Sequence, residues 1–288
     1  MIELQKQQVI TIKPCDKGAG IIILDFPEYI NACEKHLKAK QSQSDGSQKP
    51  YYQEVEEDIR LKVNQIVKDA FNNCIIKKEE YEQMRSDDKT AARFYCTYKV
   101  YKESGKAPPV RPIISGNGSV TENVSAFVDN HIKSLAIRHF SYLQDTPAFL
   151  RLLEAEVNSG SPLPENTIIA TIDVCGLYTN IPIEEGLEAV KDALEQREEK
   201  EISTEFLLRL LELVLKHNIF EFNNQLFQQL IGTAMGTKCA PNYSNIFMAR
   251  KIDPEIIKLA IRHGEGTFPI RLFKRFLDDI IMLWCGSI

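Results

Sequence analysis

The sequence predicts an α+β fold in which an antiparallel sheet packs on helices. Two observations carry that expectation. Strand-like segments come as hairpins: "QVITIKPCDKGAGIIILD" at 8–25, "IFEFNNQLFQQ" at 219–229 and "RLFKRFLDDIIMLW" at 271–284 each read as strand, turn, strand. Between them lie segments with helical apolar spacing, such as Val55, Ile59, Val63, Ile66, Val67 and Phe71, with Glu and Lys on the opposite face.

In chain order, a helix is expected over 26–37 and a polar, turn-rich loop over "KAKQSQSDGSQKP" (38–50). One helical stretch follows over 51–85, then a strand in "RFYCTYKVY", a loop in "KESGKAPPV" and a short strand in "RPIIS". Two helices are read at 121–140 and 145–158, the second opened by Asp145 or Thr146 with Pro147 at its first position. "VNSGSPLPEN" is the clearest linker, and "TIIATID" is a strand that ends on Asp173. Helices over 183–200 and 204–217 follow, the latter with Ser203 or Thr204 as its cap, and 240–262 is mostly helical. Asn223-Asn224 supplies the turn of the 219–229 hairpin. There is no internal repeat.

A chain of 288 residues can bury one large core or two small ones. The longest apolar-rich stretch, "EFLLRLLELVLKHNIF", is broken by Arg209, Glu212 and Lys216, so no membrane span is expected. The start has no cationic region followed by an apolar one, which argues against a signal peptide and for a nuclear or cytoplasmic rather than a secreted protein. Seven scattered cysteines, with no CxxC and no Cys/His quartet, argue against zinc and against a disulfide framework. The formal net charge of −5 argues mildly against a nucleic-acid partner, but basic residues gather between Arg250 and Arg275.

Asp278-Asp279 sits between two apolar runs, where an unpaired buried charge is costly. Asp87-Asp88 is the same dipeptide in a polar setting and reads as a solvated loop. A two-residue turn at 278–279 would place both carboxylates at strand ends over a cleft, and Asp tolerates the positive φ of such turns. Ordinary hairpin-turn residues are the competing reading. Asp173 adds a third carboxylate at the end of another apolar strand. If the two strands are neighbours, three carboxylates converge, a cluster suited to hard divalent cations such as Mg²⁺ or Mn²⁺. Two such ions about 3.5–4 Å apart can clamp the attacking and leaving oxygens of an in-line phosphoryl displacement.

"TIDVCGLYTNIP", "GTAMGTKCAPNYSNIFMA" and "FKRFLDD" resemble palm motifs A, B and C of reverse transcriptases. The likeness is to Penelope-like retroelement enzymes, which typically read "DVxxLYTNIP", "GTAMGTKxAPxYANLFM" and "RYIDD". Upstream, "IKPCDKGAGIIILD", "FYCTYKVYK" and "RPIISGNGSVTENVSAFVD" resemble that family's "KPADKGG", "PKIHK" and "RPIVSG…TE" blocks in the same order. The resemblance implies a right-hand polymerase fold: an N-terminal extension and fingers over 1–165 and a palm over 166–288. The thumb and the GIY-YIG endonuclease of that family are expected to be missing.

The same resemblance implies an RNA-directed DNA polymerase using two Mg²⁺ or Mn²⁺ ions, an RNA template, a DNA primer and dNTPs. Asp173, Asp278 and Asp279 would be its catalytic carboxylates, with Asp173, Val174 and Asp278 at the metals. Tyr178 would sit under the incoming sugar and Arg111 would hold its triphosphate; Lys99 and Gly236 would also meet the nucleotide. Lys13, Lys17, Lys238, Lys274 and Arg275 would contact nucleic acid. The sequence departs from the family at Cys15 (usually Ala), at Cys175-Gly176 (commonly Lys-Ser), at Tyr98 (usually Pro) and at Phe276-Leu277. A catalytically inactive remnant that at most binds nucleic acid is the alternative. An unrelated two-metal phosphohydrolase ranks last, because His36, His131, His139, His217 and His263 lie in none of the motifs.

Overall fold

The computed structural model describes residues 1–18, 20–42, 47–56, 59–101, 108–160, 162–267 and 269–286. In chain order the elements are α1 (Ile2–Lys6), β1 (Ile10–Pro14), β2 (Ile21–Asp25), α2 (Phe26–Leu37), β3 (Lys40–Ser42), β4 (Gln48–Pro50) and β5 (Tyr52–Glu54). There follow α3 (Arg60–Asn72), α4 (Lys78–Met84), β6 (Ala92–Tyr98), β7 (Val110–Ser115), α5 (Glu122–Ile137), α6 (Thr146–Val157) and β8 (Thr167–Asp173). The remainder comprises α7 (Leu177–Asn180), α8 (Ile183–Glu195), α9 (Thr204–Lys216), β9 (Ile219–Phe222), β10 (Gln225–Gln229) and α10 (Ala240–Phe247). A π-helical turn (Met248–Ile252), α11 (Asp253–His263), β11 (Ile270–Phe276) and β12 (Asp279–Cys285) complete it. Among the described residues no helix is long and apolar enough to cross a membrane.

The chain divides into two compact units, Met1–Val124 with Leu213–Lys238 and Ser125–Glu212 with Cys239–Ile288. The first is built on a five-stranded sheet in the order β5-β10-β9-β6-β7, antiparallel except where β6 meets β9. Tyr29, Cys33 and Leu37 recur every four residues along α2 and are buried with Tyr52, Phe94, Cys96, Ile114, Phe220 and Phe222. That spacing gives an α-helix one apolar stripe, which is what a helix laid on a sheet needs. Asp25 starts α2 by accepting the Glu28 amide at 3.2 Å. The second unit holds a three-stranded antiparallel sheet, β11-β12-β8, and packs α8 against α10. Gly186 on α8 is required there, because a Cβ would collide with the buried Tyr243 ring and hydroxyl.

Several elements differ from the sequence expectation. The helix expected over 51–85 begins as β5, because Tyr52 to Glu54 pair with Gln229 to Phe227 of β10. It is interrupted again after α3, where Cys74 takes a positive φ of 56°. The loop expected at 38–50 forms the short β3–β4 pair, with 43–46 outside the described residues. Most of the loop expected at 102–110, and Ser161 of the linker, also lie outside them. The helix over 240–262 has the π-helical turn in its middle. Pro254 has no amide to continue the ladder, and the local widening carries Asp253 into the interior.

Candidate active site

The β11–β12 hairpin fixes the carboxylates, though not as the dipeptide alone suggested. Phe276 pairs with Asp279, so the two-residue turn is Leu277-Asp278 rather than Asp278-Asp279. The positive φ falls on Leu277 (54°), the position where glycine is usual in a type II′ turn. Asp279 therefore starts β12, and its cross-strand partner is Asp173, the last residue of β8. One residue further on, the Val174 amide donates to the Asp278 carbonyl at 3.1 Å. The strand half of the sequence condition is met: β8 and β12 are neighbours, and Asp173, Asp278 and Asp279 occupy adjoining backbone positions where the strands end.

Directly opposed residues on antiparallel strands share a face, and like charges there repel. Asp173 and Asp279 are exposed and Asp278 is half-buried, so water moderates that repulsion. Carboxylates are hard oxygen donors of the kind Mg²⁺ or Mn²⁺ takes, and all three stand at strand ends on one side of this sheet's β8–β12 pair. Among the described residues, however, no three His, Cys, Asp or Glu side chains are already grouped as a metal-holding cluster. A cavity of about 600 Å³ adjoins Asp173 and Asp279, walled by Leu143, Phe149, Ile172, Phe276 and Ile280.

Tyr178 follows β8 on a tight turn. Gly176 there takes φ 62°, and its carbonyl accepts the Thr179 hydroxyl and the Asn180 side-chain amide, each at 3.0 Å. The glycine that departs from the family pattern is therefore one this backbone needs. Leu177 and Ile181 are buried (4% and 1% exposed), leaving the half-buried Tyr178 between them at the surface of the turn.

The first unit holds five of the expected cationic residues, Lys13, Lys17, Lys99, Arg111 and Lys238. The Arg111 guanidinium meets the Asp16 carboxylate at 2.8 Å, and Tyr101 donates to the same carboxylate at 3.0 Å. Asp16, with its side chain only 3% exposed, was not anticipated from the sequence; the signal was its place in "KPCDKG" beside Lys17. Lys17 lies 5.6 Å from the Tyr101 ring centre and Lys13 lies 4.8 Å from that of Tyr29. Lys99 is half-buried, with its amide bonded to the Pro109 carbonyl. Lys238 approaches Glu122 at 3.9 Å. The Glu122 carboxyl is held below its ordinary pKa by Lys89 first, and also by the Gly118 amide.

Gly236, expected to meet the nucleotide, makes a close backbone approach within its own unit. At φ 131° a Cβ would run into the Ile114 carbonyl, and the Met235 carbonyl accepts the Ile114 amide at 3.1 Å. The motif B loop thus lies backbone to backbone on β7, the strand that carries Arg111. Gly236→Ala is expected to cost about 2–4 kcal/mol of stability in urea titration, from overpacking plus a disfavoured φ.

The basic run from Arg250 to Arg275 is largely spent within the fold. Lys251, Lys258 and Arg271 pair with Glu188, Glu255 and Glu156. Lys274 donates to the Phe140 carbonyl. Arg275, expected on a nucleic-acid surface, is instead 1% exposed and faces the equally buried Asp253. A charge this deep persists only with a partner, and no backbone phosphate could reach it.

No protein-family model matches the sequence, and neither does any curated protein. The architecture nevertheless has solved counterparts, and it is a right-hand polymerase fold. A Candida albicans telomerase, solved with a fragment of telomeric RNA, superposes with a TM-score of 0.63 at 7% identity, over 98% of this chain and 46% of that one. A Candida tropicalis telomerase truncated from its C-terminal domain gives 0.60 at 10% identity, over 96% and 52%. The chain spans about half the length of these telomerase chains. At such identities the likeness establishes the fold.

Proposed function

We propose that this chain is the fingers and palm of an RNA-directed DNA polymerase of a Penelope-like retroelement, with fingers over 1–165 and palm over 166–288. The observation that carries the reading is the register of β12 against β8. It puts Asp279 opposite Asp173 and Asp278 on the adjoining turn, in a fold shared with telomerase. Bound Mg²⁺ or Mn²⁺ would activate the primer 3′-OH and neutralise charge on the transferring phosphoryl group. Asp173 and Asp278, with Val174 beside them, would hold the ions, and Asp279 would keep the local field negative. Arg111 presents a fork that suits a triphosphate, and Asp16 holds it in place until an anion competes for it. Tyr178, half-buried between two buried anchors, would close the space beside the sugar C2′ and so select dNTPs. The partners are then an RNA template, a DNA primer and dNTPs.

Primer extension on an RNA template with Mg²⁺ or Mn²⁺ tests the reading directly. The purified chain should extend with dNTPs and discriminate against rNTPs, and Tyr178→Ala should reduce that discrimination by about 10-fold or more, a single-contact effect of roughly 1–3 kcal/mol. A chain that binds primer–template but extends it on no template is the inactive remnant.

A further inference from the structure

Leu277 stands immediately before Asp278 at φ 54°, a conformation leucine rarely adopts and one that surrounding structure must impose. Its carbonyl accepts from Arg275 Nη1 at 2.9 Å. The rest of that guanidinium is fixed from the other side. Nη1 reaches Asn245 Oδ1 at 2.7 Å, Nη2 the Asn245 carbonyl at 3.1 Å, and Nε Asp253 Oδ1 at 3.0 Å. Asp253 is held in turn by the Ser141 hydroxyl at 2.5 Å, which His139 Nδ1 meets at 2.8 Å. The Arg275 backbone pairs with the same segment, its amide donating to the Ser141 carbonyl at 2.7 Å and its carbonyl accepting the Leu143 amide at 2.9 Å.

We propose that Arg275 is a positioning residue for Asp278: a buried guanidinium, anchored on α10 and α11, that clamps the strained turn and aims its carboxylate. A buried ion pair is weak evidence for stability, but its fixed geometry suits it to orientation. The proposal rests on the polymerase reading only for what Asp278 then does. Lysine keeps a cation for Asp253, but its single ammonium cannot serve Leu277 and Asn245 as the fork does.

The test compares Arg275→Lys and Arg275→Lys/Leu277→Gly with wild type, in the same full chain. Mn²⁺ affinity is read by electron paramagnetic resonance, and kcat and KM for dNTP by primer extension. Arg275→Lys is expected to weaken Mn²⁺ binding and lower kcat by about 10-fold each, as loss of groups that orient metal ligands does, with KM unchanged within about twofold. Glycine accepts positive φ without a clamp, so the double variant should regain most of the Mn²⁺ affinity. Should Arg275→Lys not fold, Asn245→Ala keeps the ion pair, removes one anchor, and should show the same split. Unchanged Mn²⁺ affinity in a folded variant overturns the proposal, as does a loss that Leu277→Gly does not recover or a wild-type chain that binds no Mn²⁺. If the Mn²⁺ pattern appears but wild type extends no primer, the polymerase reading falls and the positioning role stands.

Discussion

Asp278→Asn is expected to lower single-turnover primer extension by on the order of 10³-fold or more, about 4 kcal/mol of transition-state stabilisation. The substitution keeps the shape of the side chain and removes the charge that would hold a divalent ion. The turn that carries it is set by backbone pairing, Phe276 with Asp279 and the Val174 amide on the Asp278 carbonyl, which asparagine leaves intact. Folding should therefore survive. Stability should even rise slightly, by about 0.5 kcal/mol or less, since one of three neighbouring like charges is gone. Asp88→Asn supplies the control: the same residue type in the exposed Asp87-Asp88 dipeptide, where neither rate nor melting should move. A folded Asp278→Asn chain that extends as fast as wild type would exclude this carboxylate from the chemistry.

What could be read from the sequence was what local chemistry decides. Asn223 and Asn224 tolerate positive φ, so their hairpin was legible without any partner in view. The Phe26–Leu37 helix was legible within its own segment, and β8 from an apolar run ending in a carboxylate. The pairing that sets Asp173 opposite Asp279 was legible only as a condition, that two strands distant in sequence be neighbours.

What could not be read depends on partners far along the chain. Tyr52 is a strand residue because of Gln229, and no window around residue 52 contains that fact. Gly236 announces close approach, but the approaching backbone belongs to Ile114. The turn slipped by one residue because Asp seemed the better bearer of positive φ, whereas a buried arginine imposes that conformation on leucine. Arg275 itself looked like a surface cation. Its counter-charge is carried inward at the end of a π-helical turn, a feature with no simple sequence mark.

That buried pair carries the largest stability effect expected here. Asp253→Ala should destabilise the fold by about 3–5 kcal/mol in urea titration, a large share of the roughly 5–15 kcal/mol typical of a folded protein. Asp253 is 0% and Arg275 1% exposed, so truncation leaves a guanidinium in the interior with no carboxylate partner. The Ser141 hydroxyl would lose its acceptor at the same time. Replacing both partners has a different consequence. Asp253→Leu with Arg275→Met removes both desolvated charges and fills most of their volume, and such replacements are often neutral or stabilising. The double variant should therefore recover most of what Asp253→Ala loses, yet it should not recover extension, because methionine has nothing to donate to the Leu277 carbonyl. Stability regained without activity would separate the two contributions of one arginine, to the core and to the turn. A double variant that regains both would mean that the turn holds itself and that Asp278 needs no clamp.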